Sequence, residues 1–174
     1  MIERIEVPYT YRFAEMLARL DDSGLLLAAT KRSGESNVMT IGWGTVGVIW
    51  GKPVFIILVR PSRFTYQFIE DSGEFTVNVP SPELREFVNF CGTHSGRDVD
   101  KFAEFHIATS PGQRVRSVTI DACPWVYECR VVQKNDVRPE TFVPEITSRY
   151  YRRGDFHCVY YGEILGTFAT ERIA

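Results

Sequence analysis

Two arginines and two hydroxyl residues stand together in R-P-S-R-F-T, at Arg60, Ser62, Arg63 and Thr65. They follow an apolar run, 54–59, that reads as a buried strand. They precede a segment in which Phe64 and Phe68 have helical spacing. A helix N-terminus leaves backbone N–H groups unpaired and carries partial positive charge. Guanidinium and hydroxyl groups crowded at such a point are a donor set for one phosphate. The competing reading is a helix capped by Ser62, with ordinary surface arginines.

A second chemically dense stretch, C-G-T-H-S-G-R-D-V-D-K-F, spans 91–102. Loops of this kind carry function more often than they carry fold. Cys91 and His94 have C-x-x-H spacing, and His157 adjoins Cys158. A structural zinc site shows two close ligand pairs, and an adjacent His-Cys chelates poorly; no metal site is expected. Nucleophilic cysteine chemistry needs a low-pKa thiolate beside a base, and Cys91 near His94 is the one local candidate. The phosphate seat is the better supported chemistry.

The elements that must position these residues follow from periodicity. Residues 1–23 form an N-terminal arm, and 24–174 form the domain. In the arm Tyr9, Tyr11 and Phe13 are aromatic, and Phe13, Met16, Leu17 and Leu20 have helical spacing. That helix packs on the body or on a partner subunit. Residues 25–46 read as a hairpin about a polar turn at 31–36. Gly42, Gly44 and Gly47 mark either a close approach to a ligand or a sharply bent barrel strand. A helix runs from 63 to 71, stopped by Ser72-Gly73, and a strand from 74 to 79. An amphipathic helix covers 83–91. Strands are broken near Pro124 within 118–132, and a charged surface insertion spans 134–154 with a turn of helix at 144–151. The last strand, 156–168, bends at Gly162 and Gly166. Many short strands with few helices predict a small antiparallel barrel. Neither GxGxxG after a strand nor GxxxxGK[ST] occurs.

At 174 residues, 44% hydrophobic and 24% charged, the chain can bury a core without staples. A net charge of −2 argues against a nucleic-acid surface. The apolar runs are too short to span a bilayer, and the charged start MIERIEVPYTYR has no apolar core of a signal peptide. The expected compartment is the cytoplasm, with Cys91, Cys123, Cys129 and Cys158 as reduced, buried thiols.

In order along the chain, N-x-M-T-I-G-W, R-P-S-R-F-T, G-E-F-T-V-N-x-P, C-G-T-H-S-G-R-D-x-D-K-F and G-D-F-H-x-V-Y-Y-G-E-I resemble the flavin reductase-like, FMN-binding split-barrel family, most closely its flavoredoxin branch. The resemblance covers about 24–168. It implies a six-stranded Greek-key split β-barrel and a homodimer with FMN near the interface. It places Asn37, Met39 and Thr40 along the isoalloxazine, with Trp43 flanking it, and gives the phosphate to Arg60, Ser62, Arg63 and Thr65. Ser95, Gly96 and Lys101 would close over the cofactor, His157 would face the flavin, and Phe168 would touch the ring. Lys101 is the candidate cation for the reduced ring and His157 the candidate proton or hydrogen-bond donor. A surface ion pair of Lys101 with Asp98 or Asp100, and a satisfied strand histidine, are the bland readings. The insertion at 135–152 is longer than the simple hairpin of shorter flavin reductases and would cover the nicotinamide side.

Three functions follow from the resemblance. The first is an FMN-dependent reductase that takes hydride from NAD(P)H and passes it to flavin or another small acceptor. The second is a flavoredoxin-type electron carrier reduced by a redox partner protein. The third is a flavin-binding protein without turnover.

Overall fold

Leu25–Thr30 (β2) is apolar through its middle because both of its faces are covered. Successive strand residues point to opposite sides. Leu25, Leu27 and Ala29 join a main cluster with Phe55, Phe75 and Tyr127, while Leu26 and Ala28 join a second one with Phe87, Val88 and Val126. The computed structural model that shows this describes residues 2–170.

The strands are β1 (Ile5–Val7), β2, β3 (Ser36–Ile41), β4 (Gly44–Ile49), β5 (Lys52–Val59), β6 (Glu74–Val79), β7 (Thr109–Pro111), β8 (Val118–Ile120), β9 (Trp125–Asp136) and β10 (Cys158–Ala169). The helices are α1 (Phe13–Asp22), α2 (Phe64–Ser72), α3 (Arg85–Thr93), α4 (Lys101–Glu104) and α5 (Pro144–Tyr150). One antiparallel sheet runs in the order β3-β2-β6-β9-β10-β5-β4, with β1 on β10 and β7-β8 as a separate pair. Among the described residues eight strands build the main sheet, where six are expected from the resemblance; β1 and the division of 37–46 into two strands account for the difference.

That division closes the barrel. The expected hairpin over 25–46 ends at Ile41, where β3 leaves β2, and β4 pairs instead with β5. β3 and β4 lie at opposite ends of the sheet path, yet only Gly42 and Trp43 join them. Flat, six spacings of about 4.8 Å would hold the edges roughly 29 Å apart. Three Cα steps of 3.8 Å allow about 11 Å. The sheet must therefore curl until its edges converge at Gly42-Trp43, although β3 and β4 do not pair with each other. Bulges at Tyr161/Gly162 and Ile164/Gly166 bend β10, as its glycines predict. At Gly162 a methyl group would overlap the Phe75 ring, so only glycine lets that ring fill the barrel.

Residues 5–22 are built into the body. β1 pairs with the end of β10, Ile5 opposite Ala169, and α1 buries Met16 and Leu20 in the main cluster. α2 ends at Gly73, whose N–H reaches Ile69 O in the left-handed conformation that glycine tolerates. Phe87, Val88 and Cys91 form the buried face of α3, as their spacing predicts. β9 runs on to Asp136, so the insertion proper begins at Val137 and contains α5. The four cysteines are free and buried.

Candidate functional site

The mouth of the barrel is where β3, the end of β5, the start of α2 and the end of α3 meet. Two adjoining clefts open there, of about 210 and 160 Å³, with Met39 and Arg63 lining both. The first also takes Thr40, Trp43, Arg60 and His157. The second takes Asn37, Ser62, Thr65, Ser95, Gly96 and Lys101. The site residues named from sequence therefore come together from positions over a hundred apart, with one exception. Phe168 is 2% exposed in the second hydrophobic cluster and lines a different cavity beside Arg4 and Glu128. It sits on the half of β10 that pairs with β1, whereas His157 precedes the half that pairs with β5. A contact of Phe168 with the site is thereby corrected: it lies near the far end of a twelve-residue extended strand whose start is at the mouth.

The two arginines divide their work. Arg60 donates to Asp155 O at 2.7 Å and Tyr150 O at 3.0 Å, and its guanidinium stacks on Tyr151. It is a clamp on the insertion. Arg63 is exposed, and its guanidinium makes no hydrogen bond or ion pair among the described residues. Ser62 is not the cap of α2: Arg63 holds that position without a side-chain bond, and Ser62 Oγ donates to Asp155 Oδ2 at 2.6 Å. The helix thus begins with no side chain on its free N–H groups, beside an unpaired guanidinium. Arg97, which sequence reasoning did not single out, donates to Ser62 O at 3.1 Å and lies over Phe64, at the second cleft. It stands inside the C-G-T-H-S-G-R stretch, so the signal was present.

Thr65 is buried and accepts from Asn37 Nδ2 at 2.8 Å, which ties β3 to α2. A methyl group on Gly96 would overlap the Asn37 amide. The loop after α3 can press against β3 only because residue 96 lacks a Cβ. Lys101 is 3% exposed and donates to Val38 O at 2.9 Å and Cys91 O at 3.0 Å. Asp98 and Asp100 do not pair with it; Asp100 caps α4 through Phe102 N and Ala103 N. Burial, then the Arg63 charge, holds the Lys101 ammonium below its ordinary pKa, partly offset by Cys91. β3 is an edge strand, so alternate N–H and C=O groups lack a strand partner. Lys101 occupies one of these, Val38 O, and by alternation the backbone of Thr40 faces the same open edge.

His157 is 8% exposed, and its Nδ1 is hydrogen-bonded to the Tyr151 hydroxyl at 2.7 Å. Burial, then the nearby Arg60 charge, lowers its pKa to about 4. It is neutral at pH 7, with Nε2 free of hydrogen bonds among the described residues and its ring 5.0 Å from that of Trp43. Tyr151, from the insertion, is the partner that periodicity alone does not reveal. The Cys91 thiol is pushed up to about 12 by burial and stays protonated, which removes it as a nucleophile.

Comparison with known proteins agrees with this architecture. An uncharacterised protein of Archaeoglobus fulgidus is 33% identical over 111 residues, which is 63% of this chain and 62% of that protein's length. A flavoredoxin from Methanosarcina acetivorans is 25% identical, with a TM-score of 0.65 over 84% of this chain and 68% of its own. The FMN-binding domain of a flavin reductases-like enzyme from Shewanella baltica has a TM-score of 0.68 at 18% identity, over 97% of this chain and 78% of its own. No helix among the described residues is long and apolar enough to cross a membrane. Residues 21–168 match the family model for the flavin reductase like domain, and the chain belongs to that family.

Proposed function

We propose that this chain is an FMN-binding oxidoreductase, active as a homodimer, that takes hydride from NAD(P)H and passes it to flavin or another small acceptor. The observation that carries the reading is the unpaired Arg63 guanidinium at the uncapped start of α2, facing the paired clefts. That donor set fits a phosphate, with Arg97 beside it. Bound FMN would supply two-electron chemistry. The chain's own residues do the rest. The open edge of β3 at Thr40 offers backbone groups to a planar ring. Trp43, 39% exposed, walls the cleft. Neutral His157, oriented by Tyr151, presents Nε2 to hold or give a proton. Lys101 lies in the cleft of Arg63, so its charge supports the anion end of the site as well as pinning β3 to α3. The unpaired, buried thiols fit a reducing cytoplasm.

The purified protein should bind FMN more tightly than riboflavin, read by quenching of flavin fluorescence. Equal affinity for the two would remove the phosphate seat. An anaerobic NADH titration should then bleach the bound flavin. The similarity to a flavoredoxin favours one rival, an electron carrier reduced by a partner protein. Bleaching by a reduced iron–sulfur protein but not by NADH would establish that rival.

A further inference from the structure

Beyond Trp43 lies a third cavity, of about 320 Å³. Val137, Phe142, Ile146, Tyr150 and Tyr151 of the insertion line it, together with Leu58 of β5. Trp43 and Leu58 also line the first cleft, so the two spaces share a wall. Among the described residues, no charged side chain lines the cavity. Arg60, stacked on Tyr151, has its N–H groups on the carbonyls of Tyr150 and Asp155. The Tyr151 hydroxyl is taken by His157. Trp43 packs edge-on against Tyr150 at 5.1 Å, and Trp43, Ile146 and Tyr150 each remain more than a third exposed.

Large apolar side chains gathered around one hollow mark a binding site rather than a surface at rest. The volume is that of a small-ligand pocket. A dinucleotide needs cations for its pyrophosphate; the lining residues offer none, and the nearby Arg149 guanidinium is stacked on the Tyr150 ring, 5.2 Å from its centre. Aromatic walls with no charge suit a flat, uncharged molecule, held by offset and edge-to-face ring contacts. We infer that the insertion builds a subsite for a small, uncharged aromatic substrate, stacked beyond Trp43 with its polar end towards His157. The assignment of that molecule as the acceptor rests on the flavin reading; its binding does not.

The test uses the full chain with 4-fluoroacetophenone and 4-fluorobenzoate as probes, followed by broadening of their fluorine resonances. The ketone should bind at least tenfold more tightly than the carboxylate. Ile146→Asp puts a carboxylate on the wall, at the first turn of α5 where an acid suits the helix. It should weaken the ketone tenfold or more, with FMN affinity and melting temperature unchanged. Phe142→Asn, a second variant just after a 3₁₀ turn at Pro139–Thr141 of the insertion, should do the same. Equal binding of ketone and carboxylate, or retained ketone binding in both variants, overturns the subsite. So does conversion of a dimer to a monomer by Ile146→Asp, since the cavity would then be covered by a second copy. If wild-type protein fails to bind FMN while Ile146→Asp still abolishes ketone binding, the subsite stands and the cofactor reading falls.

Discussion

Arg60 and Arg63 are three residues apart and chemically identical, yet their surroundings give them different tasks. A hydrogen bond to a charged group contributes about 1.5–3 kcal/mol, or roughly ten- to 150-fold in affinity. Arg63→Ala should weaken FMN by about that factor and leave riboflavin nearly unaffected, both measured by fluorescence quenching at fixed salt. An equal loss for both flavins would make Arg63 a shaping residue. The buried His157 makes a separate prediction. Its folded pKa of about 4 lies below the ordinary 6.5, so between these values the unfolded chain binds the extra proton. Stability is then intact above pH 6.5, is lost progressively as pH falls towards 4, and levels off below. Urea midpoints against pH should show this slope in the wild type and lose it in His157→Gln. An unchanged slope would move the titration to another group.

At the scale of elements, the insertion is held by the barrel through polar contacts centred on Arg60, with Ser62 on Asp155 and His157 on Tyr151, rather than by a broad apolar face: α5 buries none of its own residues. Arg60→Ala should therefore free 137–155 without melting the sheet. Trypsin should cut near Arg149, Arg152 and Arg153 at least several-fold faster, while the melting temperature shifts little. Slow cutting would mean that aromatic stacking of Phe142, Tyr151 and Phe156 suffices to hold it. The barrel elements were largely legible in the sequence because their signals are local. Period-two alternation on β6, the Gly73 stop and the α3 apolar stripe each needed only a short window. The mouth residues were legible by family resemblance, since R-P-S-R-F-T and the 91–102 stretch lie far apart in the chain. Three features were not. The break at Gly42-Trp43 depends on which partner strand each half finds, a tertiary choice. The clamp role of Arg60 depends on carbonyls some ninety residues away. Phe168 has the right residue type, but its distance along a twelve-residue strand removes it from the mouth.

At the scale of the molecule, β4 is an outer strand with Val48 64% exposed, and Trp50, in the turn that follows it, is 62% exposed. Apolar residues on an open sheet edge are a hazard unless covered. A second copy across this edge is the expected cover, and light scattering should give about twice the 19.9 kDa chain mass. A monomer that still holds FMN tightly would count against a cofactor site at the interface.

The placement of β10 has a further consequence, in time rather than in space. This strand pairs with β9 along its length, with β5 at its start and with β1 at its end, so the sheet has its hub in a strand made after all three of its partners. Until it arrives, three earlier strands wait with open edges, and the first strand waits longest, for Ile5 must find Ala169. Non-local pairing of this kind slows folding into the millisecond-to-second range and leaves the nascent chain open to association. The strand that completes the finished barrel is thus also the one whose absence leaves the growing chain exposed, and a chain stalled before Cys158 should partition to aggregates rather than to a smaller folded core.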